Sequence, residues 1–203
     1  MRLIPLHKLL KLVNISIPNT LSNPNISNIS FNSNEAKLGT LFLGLPGTKV
    51  DGGIYWKEAI KNGAEAAIIS KEAEKNSGKI DKNKVLVLKS PLDYIFGQII
   101  SEFWERPAKK IKIIGVTGTN GKTTVSFLLE YLLIKLQKKV ALFGTLFDRW
   151  PGYCEKSTLT TDFADKLQAK LSNAIQANAE FAIMEVSSHS IAQKRISGCE
   201  FCC

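Results

Sequence analysis

Two short polar runs carry the side chains best suited to chemistry. In the first, Gly118, Thr119, Asn120 and Gly121 precede Lys122, Thr123 and Thr124. Glycines there let successive backbone N–H groups face one side, and the start of a following helix adds partial positive charge. That combination suits a polyphosphate. Lys122 would reach the terminal phosphates, and the Thr123 hydroxyl would ligate Mg²⁺. The glycine interval is short: the common phosphate loop would place its first glycine at position 116, where Val116 stands. The dinucleotide pattern G-x-G-x-x-G is also unmet, so a nicotinamide cofactor loses its main support.

The second run is Met184-Glu185-Val186-Ser187-Ser188-His189, at the end of an apolar stretch that begins at Phe181. In open α/β sheets ligands gather at the carboxyl ends of strands. Glu185 would stand there, where a nucleotide-bound Mg²⁺ needs an oxygen ligand. His189 reads more readily as a structural hydrogen-bonding residue than as a catalyst. Thr158-Leu159-Thr160-Thr161-Asp162 admits two readings, a helix cap or a hydroxyl pair facing a substrate. Cys199 and Cys202 have zinc-knuckle spacing, but no second pair accompanies them, so reduced thiols are expected.

These residues need a strand–loop–helix frame. Strand 111–116 leads into helix 122–136, whose apolar positions Val125, Leu128, Leu129, Leu132, Leu133 and Leu136 form one stripe expected to be buried. Strand 139–144, loop 145–161, helix 162–178 and strand 180–186 follow. Alternation of this kind predicts a parallel sheet covered by helices. Upstream, Leu6, Leu9, Leu10 and Val13 share a helical face, and 14–34 reads as loop with a strand at 26–31. Strands are expected at 38–45, 66–70 and 85–88. A helix through Trp56–Lys61 ends at Asn62-Gly63, and another opens at Pro91 and runs to Phe103. Arg106-Pro107 through Lys110 marks the boundary between domains 1–108 and 109–203. The fold class is α/β: a small first domain, then an incomplete, mainly parallel phosphate-loop domain.

The 203 residues are 44% hydrophobic and 22% charged, a globular composition. No apolar run reaches the length of a membrane span. The start of the chain lacks a signal peptide's core and cleavage site, so a cytoplasmic protein is expected. The net charge of +9 raises nucleic acid as a partner. Its lysines are scattered, however, with no long basic run and no interleaved aromatic residues, and small anionic substrates suit them better.

Taken together, these residues resemble the Mur ligases of cell-wall synthesis, and among them the branch that adds the third residue of the peptide. Thr117 to Thr124 matches that family's ATP loop, short interval included, and Met184 to His189 matches its second signature. Phe31-Asn32-Ser33-Asn34, Gly39 to Phe42 and Gly47 to Gly52 are similar to its uridine-nucleotide domain, although Asn32 and Asn34 replace the usual charged neighbours of the serine. The resemblance implies UDP contacts by Phe31, Ser33, Thr48, Lys49 and Val50. It implies ATP on Gly118 to Thr124, with Thr123 and Glu185 on Mg²⁺ and Lys122 and Glu185 as the catalytic pair. Thr160, Thr161, Ser187, Gln193 and Arg195 would hold the UDP-N-acetylmuramoyl-dipeptide. A free amino acid, meso-diaminopimelate or lysine, would then be joined through an acyl phosphate. A monomer is expected, with no nucleic acid and no membrane insertion.

The family's central domain continues past position 203, and a third domain follows it. A chain of this length is therefore expected to be a fragment, inactive alone. Other readings are a different Mur-type ligase, such as that adding D-Ala-D-Ala, a cyanophycin- or folate-type relative, or a non-catalytic nucleotide-binding module. A GTPase-like switch lacks its Asn-Lys-x-Asp motif.

Overall fold

The computed structural model describes residues 2–47, 50–89 and 91–203 and forms two compact units, Met1–Phe103 and Trp104–Cys203. The first holds β1 (Ile4–Pro5), α1 (Leu6–Leu12), β2 (Asn25–Ile26), β3 (Asn28–Ser30), β4 (Thr40–Leu43), α2 (Trp56–Lys61), β5 (Ala64–Ser70), α3 (Lys71–Asn76), β6 (Val85–Leu88) and α4 (Asp93–Phe103). The second holds β7 (Lys112–Val116), α5 (Lys122–Lys135), β8 (Val140–Phe143), β9 (Phe147–Trp150), β10 (Tyr153–Lys156), α6 (Ala164–Gln176), β11 (Phe181–Glu185) and α7 (Ser188–Ala192).

In the first unit, β3, β4, β5 and β6 form a parallel sheet in that order. Every residue of β4 is buried, as a strand covered on both faces requires. Phe42, Ala67 and Ile69 pack on one side with Trp56, Ala59 and Ala73 of the neighbouring helices. In α4 the buried residues Phe96, Ile99, Ile100 and Phe103 keep the expected helical period. The single strand expected at 26–31 is in fact two: β2 pairs with β1, and β3 joins β4. Helix α3 was not legible, since only Ala73 of its six residues is buried. It forms because the Ser70 hydroxyl accepts the Ala73 amide at 2.9 Å, capping its N-terminus.

In the second unit the strand order is β10-β9-β8-β11-β7. Strands β8, β11 and β7 are parallel, and β9 and β10 are antiparallel additions. The expected loop 145–161 therefore contains a hairpin. Alternation sorts the core into two layers. Ala141, Phe143, Ala182 and Met184 meet Leu167, Leu171 and Ala174 of α6. On the other face Val116, Val140, Leu142 and Ile183 meet Phe127, Leu129 and Leu133 of α5. Beside β7, the Cys202 amide donates to the Ile113 carbonyl and the Gly115 amide to the Cys203 carbonyl, both at 2.8 Å.

The stripe on α5 is a correction. Leu129 and Leu133 do face the sheet, but Val125, Leu128, Leu132 and Leu136 are exposed, and the buried residues are Ser126 and Glu130. Two polar contacts set this rotation. Ser126 reaches the Glu185 carboxylate at 3.3 Å, and Glu130 is held by both nitrogens of an Arg149 fork. The bidentate guanidinium–carboxylate pair offsets the cost of burying the Glu130 carboxylate on this face.

Candidate functional site

Strand β7 delivers the chain to the glycine loop, and α5 begins at Lys122 directly after it. Gly121 has φ +79°, a left-handed conformation that lets the backbone turn into the helix without Cβ strain. Residues 119–124 line an open pocket of about 290 Å³ together with Thr145, Thr160 and Ser187. The Lys122 ammonium donates to the Gly118 carbonyl at 2.8 Å, which folds it over the loop.

Glu185 ends β11, the parallel neighbour of β7, on the face that carries α5. It has no solvent exposure. A buried carboxylate needs several donors, and four surround it. Thr123 Oγ1 donates to Oε2 at 3.0 Å and Thr145 Oγ1 donates to Oε2 at 2.8 Å. The Thr145 amide and the Ser126 hydroxyl approach Oε1, each at 3.3 Å. Gly144 makes room for this arrangement: a Cβ there would lie 2.4 Å from Oε1. Thr123 and Glu185 therefore meet as the sequence expects. Thr145 was not foreseen. Its only sequence signal is a Gly-Thr pair at the end of β8, the strand beside β11.

The Thr123 hydroxyl and the Glu185 carboxylate are hard oxygen donors next to a phosphate loop. Such a pair fits Mg²⁺, which takes one or two carboxylates plus phosphate oxygens.

The residues expected to hold the dipeptide are also brought together. Thr161 Oγ1 donates to the Glu185 carbonyl at 2.8 Å and receives the Ser187 amide at 3.2 Å. Thr160 Oγ1 lies 3.2 Å from Thr145 Oγ1. Arg195 donates to the Thr161 carbonyl at 3.0 Å and to Gln193 at 2.8 Å, and its guanidinium stacks 4.3 Å from the Phe163 ring centre. Ser187 caps α7 by accepting the Ser190 amide at 3.1 Å. His189 is exposed on α7.

In the first unit, Ser33 is buried and donates to Glu58 at 2.7 Å, so its hydroxyl already has a partner. Phe31 lies 6.2 Å from the Phe96 ring, and Val50 is exposed. Thr48 and Lys49 lie outside the described residues. No helix among the described residues is long and apolar enough to cross a membrane.

A glycine loop between strand and helix, with a buried carboxylate on the next parallel strand, defines a phosphate-loop α/β domain. The particular family follows from known proteins. Residues 25–116 match "Mur ligase family, catalytic domain" and residues 116–202 match "Mur ligase middle domain", and the chain belongs to the Mur ligase family. It is 66% identical over 201 residues to the UDP-N-acetylmuramoyl-L-alanyl-D-glutamate–2,6-diaminopimelate ligase of Prochlorococcus marinus subsp. pastoris, covering 99% of this chain and 39% of that protein. The ligase of the same name from Trichormus variabilis is 44% identical over 186 residues, covering 92% of this chain and 37% of the relative. A solved structure of a ligase of that name matches with TM-score 0.78 and 26% identity, over 98% of this chain and 39% of the other. MurF ligase from Thermotoga maritima, solved with ADP, shares the fold at TM-score 0.52 and 22% identity, over 85% and 34%. The chain thus spans about two fifths of the length of these curated relatives.

Proposed function

We propose that this chain handles the nucleotide and the acceptor in an ATP-dependent amide ligation of peptidoglycan precursor synthesis. The acceptor would be UDP-N-acetylmuramoyl-L-alanyl-D-glutamate. Diaminopimelate is the added amino acid favoured by the names of the relatives. The observation that carries this reading is the buried Glu185 carboxylate, 3.0 Å from the Thr123 hydroxyl beside the glycine loop.

In this reading the acceptor's γ-carboxylate oxygen attacks the γ-phosphorus of ATP. The bond to the β,γ-bridging oxygen breaks, and ADP leaves. The amine of diaminopimelate then adds to the acyl phosphate carbonyl, loses a proton and expels inorganic phosphate. Backbone amides of 118–124 cradle the phosphates, and Lys122 swings from the Gly118 carbonyl to neutralise charge on the transferring phosphoryl group. Mg²⁺, when bound by Thr123 and Glu185, supplies electrophilic stabilisation of the phosphate oxygens. Thr160, Thr161, Ser187, Gln193 and Arg195 hold the acceptor. The UDP group belongs to Phe31, Ser33, Thr48, Lys49 and Val50 of domain 1–108, with domain 109–203 taking ATP. Ser33 would have to share its hydroxyl with Glu58 to take part.

Calorimetric titration of the chain with Mg-ATP and Mg-ADP tests the reading. Removing the Lys122 charge by Lys122→Ala should weaken binding about 10- to 100-fold, the worth of one charge-assisted contact. Equal affinity of variant and parent, or no nucleotide binding by the parent, would sink it.

A further inference from the structure

The segment that carries Thr160 and Thr161 has no helix or strand of its own; it runs from Ser157 to Phe163 between β10 and α6. Its conformation must come from side-chain ties. On one side lies Glu185, whose backbone carbonyl accepts from Thr161 Oγ1. On the other side stands Lys170, in the second turn of α6.

The Lys170 ammonium contacts three carboxylates from three places. Asp162 Oδ2, in the segment itself, is 2.7 Å away, and Glu155 Oε1 on β10 is 3.2 Å away. Asp148 Oδ2 on β9 is the third partner. Asp148 and Asp162 are buried at 2% and 7% exposure, while Glu155 is partly exposed. Buried carboxylates clustered on one lysine repel one another once that lysine is gone. Arg149 cannot substitute, because its guanidinium is engaged with Glu130 on the opposite face of β9.

We propose that Lys170 is a positioning residue: by binding Asp162 to the β9–β10 hairpin, it fixes Thr160 and Thr161 beside the Glu185 site. None of its three carboxylate partners lines the phosphate pocket. Its influence passes through Asp162 to the adjoining Thr161, and through Thr160 to Thr145 at 3.2 Å. The assignment of acceptor binding to Thr160 and Thr161 rests on the function proposed above. The mechanical role of Lys170 does not.

Asp162→Ala tests it, because this variant frees the segment yet leaves the Lys170–Asp148 pair to hold the fold. Backbone ¹⁵N order parameters at 158–162 should fall toward the flexible range below about 0.6, with those of β7, α5 and β11 unchanged. Unchanged order parameters at 158–162 overturn the role. In calorimetry the same variant should bind UDP-N-acetylmuramoyl-dipeptide about tenfold more weakly and Mg-ATP within about twofold of the parent. A parallel loss of both ligands points to general loosening and overturns positioning. Lys170→Arg, which keeps the cation, should restore most of the dipeptide affinity lost in Lys170→Met. If the parent chain binds no dipeptide, the proposed substrate fails, and the relaxation experiment still decides the role of Lys170.

Discussion

The Thr145 hydroxyl donates to Oε2 of Glu185 at 2.8 Å while the Thr145 amide faces Oε1 of the same carboxylate at 3.3 Å. One residue at the end of β8 thereby orients a side chain at the end of β11. The carboxylate keeps its direction because every neighbour leaves it one place to go. Gly144→Ala should therefore act through Glu185. The added methyl, 2.4 Å from Oε1, must push the carboxylate aside. Mg²⁺-dependent affinity for ADP should fall about tenfold, whereas affinity measured in EDTA should barely change. Thr145→Val should give a smaller loss of the same kind. Equal losses with and without Mg²⁺ would contradict this account.

Breaking the Glu130–Arg149 pair should cost stability. The Glu130 side chain is 10% exposed and that of Arg149 is 30% exposed, so the pair is only partly screened by water. Glu130→Ala should lower unfolding free energy by about 2–3 kcal/mol, below the fully buried range because the guanidinium can reach solvent. Changing both residues to leucine should recover most of that loss. Urea denaturation of the two variants and the parent provides the measurement.

The rotation of α5 makes adjacent leucines unequal. Leu132→Gln, on the exposed side, should change stability by less than about 0.5 kcal/mol. Leu133→Ala, against the sheet, should cost about 2 kcal/mol. Reversal of that order in thermal or chemical unfolding would restore the stripe read from the sequence.

Cysteine reactivity should separate by burial. Cys199 is partly exposed but packs on the α6 face of the core, where burial pushes its thiol up to about 12, whereas Cys154, Cys202 and Cys203 are exposed. Raising a thiol's pKa lowers the thiolate fraction at any pH below it, and the thiolate is the nucleophile. At about pH 8, iodoacetamide should modify the three exposed cysteines and spare Cys199 until denaturant is added. Peptide mass mapping reads the result.

The phosphate loop, its helix and the strand bearing Glu185 were legible because each is specified locally, by glycines, Lys-Thr and a continuous apolar run. The parallel strands covered by helices on both faces followed from alternation of strands and helices. What escaped depends on partners distant in sequence. The hairpin at 147–156 has one strand reading Phe-Asp-Arg-Trp, in which two charged residues mask the period; those charges find Lys170 and Glu130 only in three dimensions. The face of α5 was misjudged for the same reason, since Ser126 and Glu130 look like solvent-facing residues until Glu185 and Arg149 arrive. Thr145 escaped because a single hydroxyl after a strand has no pattern.

Strand β9 carries one more consequence. Asp148 and Arg149 are consecutive, so they face opposite sides, one toward Lys170 and the other toward Glu130. Slipping the strand by one position against β8 would exchange their sides, setting Arg149 against Lys170 and Asp148 against Glu130. Both contacts would turn repulsive at once. Two adjacent letters of opposite sign thus act as an alignment key for the hairpin, rejecting the neighbouring register on either face of the sheet.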